Sequence, residues 1–253
     1  MAQITLPKRE WQKHLGQFQN NVNDLSLIVY DNPVCLGYAV AYQTYFYKMF
    51  QQYPGVKVKP GRISVSDLSK VNAFLKKCDG EVTMRQADGG KTLYIINGNL
   101  KMTLPVMDVL SDKIVSNYER LIEAAGEDDW RTFGDNVHTL SATTKLTEVL
   151  RLSGLTNLVS KNADYTISAN DSEISVSVGK QHDTRMFAVS QLEDVDGPNH
   201  TIESNFGPWL LPCLSLVDAN MKSKIHFGDQ CAIIIRQTNE SVQRLLVIID
   251  QMM

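Results

Sequence analysis

The chain has 253 residues, 43% of them hydrophobic, enough to bury the core of one large or two ordinary domains. Its formal charge of −3 excludes a protein that coats nucleic acid with its whole surface, because that mode needs an excess of Lys and Arg over acids. Any contact with a polyanion has to come from basic residues gathered in one place.

In chain order, residues 8 to 22 follow Pro7 and set Trp11, Leu15, Phe18 and Val22 on one face at helical spacing. The segments 25 to 31, 34 to 43 and 56 to 65 are rich in β-branched and aromatic residues. Asn-Pro and Pro-Gly break them, so they read as strands. Asp67 can cap a second helix to about Cys78, with Leu68, Val71, Leu75 and Cys78 as its apolar stripe and Asp79-Gly80 as its stop. Three strands follow, at 81 to 87, 91 to 97 and 99 to 105. Asp88-Gly89-Gly90 and Asn97-Gly98 part them, and these are turn signals because Gly and Asn tolerate positive φ.

From Pro105 to about Val137 the character changes. An apolar start (Val106, Met107, Val109, Leu110) leads to an acidic patch at Glu127, Asp128 and Asp129, and helical spacing recurs at Ile114, Tyr118, Leu121 and Ile122. This stretch reads as a connector between domains 1–104 and 138–253. The second half repeats the order of the first, with a helix expected at 141 to 153, strands, a helix at 208 to 219, and strands again. Their parting turns are Asn170-Asp171, Gly228-Asp229 and Thr238-Asn239.

Projected at 100° per residue, the first helix carries Arg9, Lys13, Gln17 and Asn20 opposite its apolar stripe. The second carries Lys70 and Lys77 there, with Lys76 on the flank. On the third, Arg151 lies opposite Leu146 and Val149 but beside Glu148, and Lys145 flanks it. The fourth ends in Lys222 and Lys224. Such faces fit a solvated surface as well as a wall turned toward an anion, and the residues alone do not choose between them.

Chemistry-bearing motifs are missing. His14, His138, His182, His200 and His226 form no HxxH, HExxH or Cys/His pattern, and neither GxSxG nor a P-loop occurs. Cys35, Cys78, Cys213 and Cys231 lie far apart, which suits a reducing cytoplasm. Trp11 and Trp209 sit on apolar helix faces and read as core. No signal peptide and no run of roughly 20 apolar residues is present, so no membrane is expected. Neither an enzyme nor a cofactor is expected.

Two stretches carry a family resemblance. ISVSDLSKVNAFLKKCDGEVTMRQADGGKTLYIINGNLKMTLP (63 to 105) joins a strand, a helix and Gly-punctuated hairpins ahead of a connector. KLTEVLRLSGL with DYTISANDSEISVSVG (145 to 179), and then DANMKSKIHFGDQCAIIIRQ (218 to 237), ends in a Gly turn and an apolar strand. In order and hydrophobic pattern the chain resembles DNA polymerase sliding clamps of the proliferating-cell clamp superfamily, most of all the clamp of T-even bacteriophages. The acidic insert around Tyr118 to Asp129 makes the connector longer than in that family.

The resemblance implies an α+β fold of two similar clamp domains, each with two helices packed on antiparallel β-sheets. By the same resemblance three chains would close head to tail into a homotrimeric ring around double-stranded DNA, without base readout. The implied role is a processivity factor that holds the replicative polymerase, is opened by a clamp-loader ATPase, and acts in the cytoplasm of a phage-infected bacterium. The cations facing DNA would be Arg9, Lys13, Lys70, Lys76, Lys77, Lys145, Arg151, Lys222 and Lys224. A partner-peptide groove would lie between Val106, Met107, Val109 and Leu110 on one side and Ile248, Ile249, Gln251, Met252 and Met253 on the other, although the first four fit a plain core equally well. Two readings compete: a β-rich viral structural or assembly subunit, which has no reason to keep acids off helix faces, and a small-molecule enzyme, for which no converging polar set is visible.

Overall fold

The computed structural model describes all residues except 17, 19–23, 32–33, 42–44, 88, 107–115, 118–119, 121–131, 134–135, 153–163, 180–184 and 251–253. The chain divides into two compact units. The first comprises Met1–Tyr42, Tyr47–Ser116 and Glu240–Gln243; the second comprises Gln43–Phe46, Asn117–Asn239 and Arg244–Met253.

The first unit begins with β1 (Ala2–Pro7), α1 (Lys8–Gly16), β2 (Leu25–Asp31), β3 (Val34–Ala41) and β4 (Tyr45–Gln52). It continues with β5 (Val58–Lys59), β6 (Gly61–Val65), α2 (Leu68–Lys77), β7 (Glu81–Gln86), β8 (Thr92–Asn97) and β9 (Leu100–Pro105). Two antiparallel layers result, one in the order β5-β1-β7-β8-β9 and one running β4-β3-β2-β6. Alternation explains them, since Ala2, Ile4 and Leu6 on β1, Val82 and Met84 on β7, and Leu93 and Ile95 on β8 all turn to the core.

Trp11 anchors α1 on this core. Its indole is fully buried and Nε1 donates to the Val82 carbonyl at 3.0 Å, which satisfies the one polar atom that burial would otherwise strand. Phe18 meets Tyr47 edge to face at 5.6 Å between ring centroids. For α2 the Asp67 carboxylate accepts from the Lys70 backbone N–H at 3.0 Å, the N-cap arrangement expected from the sequence. The β8–β9 turn places Gly98 at φ 56°, a left-handed conformation that favours glycine. Beside it the Asn97 side chain donates to the Asp79 and Glu81 carbonyls, fastening that hairpin to the end of α2.

The second unit contains β10 (Thr132–Phe133), β11 (Asn136–Val137), β12 (Leu140–Lys145), α3 (Thr147–Arg151), β13 (Tyr165–Ala169) and β14 (Glu173–Val178). It goes on through β15 (Met186–Gln191), β16 (Glu193–Asp196), β17 (Ile202–Phe206), α4 (Leu210–Leu214), β18 (Lys222–Phe227), β19 (Ile233–Thr238) and β20 (Val242–Ile248). Strands β16-β12-β18-β19-β20 form one layer and β15-β14-β13-β17 another. Phe206 and Phe227 are fully buried, as is Ile225. The buried Gln237 amide is saturated: its nitrogen donates to the Asp218 carbonyl at 2.7 Å and the Ser223 hydroxyl at 2.9 Å, and its oxygen accepts from the Asp218 N–H. Cys78, Cys213 and Cys231 are free and buried, and burial pushes each thiol above its ordinary pKa.

Several expected elements change. The helix expected at 141 to 153 is a strand through Lys145 followed by a helix of only five residues, because Leu140, Ala142 and Thr144 alternate inward at period two. The helix expected at 208 to 219 is likewise five residues, Leu210–Leu214, and Lys222 and Lys224 belong to β18 rather than to its end. Strands β1, β4, β10, β11 and β16 were not expected. Phe18 is buried as the projection required, but α1 ends at Gly16. Ile114, Tyr118, Leu121 and Ile122, which carry the connector's helical spacing, and Glu127, Asp128 and Asp129 lie outside the described residues.

Candidate nucleic-acid interface

In the first unit α1 and α2 pack against one another, and the Lys8 ammonium donates to the Lys76 carbonyl at 3.3 Å across their contact. A cation at a helix C-terminus is favourable, since the last carbonyls carry partial negative charge. The apolar stripes, Trp11 and Leu15 on α1 and Leu68, Val71 and Leu75 on α2, are buried, and this leaves Arg9, Lys13, Lys70, Lys76 and Lys77 exposed.

Acids near them are few and engaged. Glu10 lies 3.6 Å from His14, and Asp67 lies 2.8 Å from the Lys70 ammonium while it caps α2. The hydrogen bond from Lys70 holds the Asp67 carboxyl below its usual pKa. Lys70 still exposes 68% of its side chain, so the pair leaves that cation accessible.

The second unit differs. Arg151 on α3 is tied to Glu148 at 2.9 Å, as the projected proximity of the two implied. The basic face expected on its second helix is absent, because α4 reads LLPCL and carries no charge. Lys145, Lys222 and Lys224 instead stand on adjacent strands β12 and β18. Their expected placement on helices is corrected: β-branched threonines and the alternation of KSKIHF put them on a sheet.

Of the groove residues, Val106 is half-buried and its N–H donates to the Lys91 carbonyl at 2.8 Å, while Ile249 is half-buried. Ile248 is 0% exposed and belongs to the core of the second unit, so its assignment to a groove wall is corrected. Met107, Val109, Leu110, Gln251, Met252 and Met253 lie outside the described residues.

Sequence reasoning passed over Lys8 and two sheet edges. Among the described residues β9 is the last strand of its sheet and β15 the last of its own, and they carry Leu100 at 50% exposure and Phe187 at 70%. Unpaired strand edges with exposed apolar residues invite pairing with another chain. Only the register of the sheets reveals them. No cluster of three potential metal ligands exists among the described residues, and no helix there is long and apolar enough to cross a membrane.

No protein-family model and no curated protein matches this sequence. Solved structures do match. The PCNA of Thermococcus kodakaraensis superposes with a TM-score of 0.66 at 13% identity, over 99% of this chain and 100% of that one. The A. fulgidus PCNA, in a structure with the C-terminal region of FEN-1 bound, gives 0.66 at 9% identity over 99% and 98%. The proliferating cellular nuclear antigen of Entamoeba histolytica gives 0.65 at 9% identity over the same shares. With likeness along both whole chains, and with few helices on antiparallel sheets, this chain has the fold of the PCNA sliding clamps.

Proposed function

We propose that the chain is a DNA sliding clamp, a non-enzymatic ring that encircles duplex DNA without reading its sequence and holds a polymerase to it. The observation that carries this reading is the pair of packed helices in the first unit, whose exposed side holds five cations while the chain as a whole is acidic. Segregated lysines and arginines bind phosphates without registering bases, and their flexible stems let the duplex move past. A viral structural subunit gains nothing from that segregation.

The free edges β9 and β15 supply a route to ring closure, one edge of each chain pairing with the other edge of the next, so that three chains of two clamp domains make a closed homotrimer. Residues 1–104 and 138–253 are the two domains in this reading, joined by the connector 105–137. Val106 and Ile249 remain as flanks of a groove for partner peptides, and an ATP-driven loader would open the ring. The sequence pattern at 63–105, 145–179 and 218–237 favours a bacteriophage clamp working in the cytoplasm of an infected cell.

The test replaces Arg9, Lys13, Lys70 and Lys77 together by Gln and measures DNA affinity against salt. The logarithmic slope falls by roughly 3 to 4 if all four neutralise phosphates. The thermal midpoint should not fall. An unchanged slope overturns the assigned wall.

A further inference from the structure

The outward face of the five-stranded sheet in the first unit carries charge of essentially one sign. Ile4, Met84, Leu93 and Ile95 are buried, so the residues that alternate with them turn to solvent. The registers align these across every strand, with Lys59, Gln3, Arg85, Tyr94 and Thr103 in one row. Thr5, Thr83, Ile96 and Lys101 form the row beside it. The first row crosses four strand spacings, roughly 19 Å.

Over β5, β1, β7, β8 and β9 the cations Lys59, Arg85 and Lys101 stand against one acid, Glu81. Glu81 is four residues from Arg85 along β7, about 13 Å at the usual strand rise, and lies beyond both rows. A face that serves only solubility mixes the two signs. The four-stranded sheet of the second unit shows the opposite balance, since its strands hold Glu173 and Glu203 and neither Lys nor Arg. The layout of sheets does not by itself demand a basic face.

Tyr94 gathers two of these cations. Arg85 reaches its ring from β7 and Lys101 from β9, at 5.1 and 4.5 Å from the centroid. The ring attracts the cations but does not neutralise them. Neither of them, nor Lys59, forms an ion pair among the described residues. The buried Arg85 Nε also has no hydrogen-bond partner there. The aromatic contact therefore holds two like charges together and leaves their counter-charge to come from outside.

We propose that this row is a track for the phosphate backbone of a single strand of nucleic acid. It lies on the side of the sheet away from α1, which is anchored on the core by Trp11, and it does not depend on the clamp reading. A single strand can bend along the twist of five β-strands, whereas a duplex, stiff over about 150 base pairs, meets such a face at few phosphates. The exposed side chains of the two rows, Lys59, Lys101 and Thr103, are polar, and Tyr94 and Ile96 are half-buried, so a peptide finds little area for apolar anchors. Because two cations already engage Tyr94, stacking adds little and the binding is electrostatic.

Anisotropy of a labelled short oligothymidylate, titrated with the whole protein at a series of salt concentrations, tests this. Replacing Lys59, Arg85 and Lys101 together by Gln should lower the logarithmic salt slope by roughly 2, at about 0.7 per phosphate on a single strand. Lys59→Gln with Lys101→Gln, both at exposed positions, is the second variant and should lower it by about 1.4 with an unchanged thermal midpoint. The variant lacking Arg9, Lys13, Lys70 and Lys77 should bind the oligothymidylate as the parent does, and more tightly than a duplex of equal length. Absence of binding, an unchanged slope in both sheet variants, or loss of binding in the helix variant would each overturn the proposal. Equal binding of the duplex by the helix variant, or displacement of the oligothymidylate by polyglutamate at equal charge concentration, would overturn it as well, the last by assigning the face to an acidic peptide.

Discussion

The two units share a layout of helices over antiparallel sheets but distribute positive charge in opposite ways. In the first unit Arg9, Lys13, Lys70, Lys76 and Lys77 ride on helices of nine and ten residues, one with a side-chain cap and one anchored by Trp11. In the second unit α3 and α4 have five residues each, one lacks charge and the other pairs its arginine with a glutamate, while Lys145, Lys222 and Lys224 stand on strands. A helix of five residues offers barely more than one turn, too short to hold an apolar stripe and an opposing basic face. The lesson is that similar architecture does not carry similar electrostatics. A wall turned to DNA would draw its charge mainly from the first unit.

The sharpest way to break the comparison is to remove the anchor of each unit. Trp11→Ala deletes a buried indole and leaves the Val82 carbonyl without its donor, and Phe206→Ala empties a core position of the second unit. Each should cost about 3–5 kcal/mol in denaturant unfolding. For Trp11, a loss below about 1 kcal/mol would show that α1 is held by something else.

Next in size is the effect on the proposed assembly. Leu100→Asp or Phe187→Asp puts a charge on an exposed edge residue, so each should shift the proposed trimer of 28.4 kDa chains toward monomer in light scattering while leaving the monomer folded. A trimer untouched by both would remove those edges from the ring.

Arg151→Gln is expected to do less. Glu148 already neutralises that guanidinium, so the salt slope of DNA affinity should change by under about 1. A change as large as that from the four cations of the first unit would erase the difference between the units.

The smallest effect concerns pH. The folded-state pKa of Asp67 is lowered, chiefly by the Lys70 hydrogen bond, so its contribution to stability is present in full above the ordinary aspartate value of 3.8 and is lost as pH falls through the lowered folded value. Asp67→Asn should flatten the acid limb of the stability curve slightly. An identical limb in both proteins would mean the cap has no electrostatic part.

How far these differences could be read in the sequence varied with the range of the forces involved. α2 was legible in full, because cap, stripe and stop are all local. So were β2, β7 and β8. Lys145 was misplaced because in SATTKLTEVLR the spacing fits period two before Lys145 and period 3.6 after it, and only pairing with β18 decides. β4 hid because YFYKMFQQ is a nearly continuous apolar run without alternation. β16 hid because EDVD is acidic and joins the sheet as an edge. The row from Lys59 to Thr103 and the free edges depend on strand order across distant segments, which no local pattern encodes.

The most direct test of the clamp reading is topological. Protein loaded by a clamp loader onto a nicked circular duplex should stay with the circle through gel filtration at moderate salt and be lost once a single cut linearises it. Equal retention on circular and linear DNA, or none on either, would contradict the account.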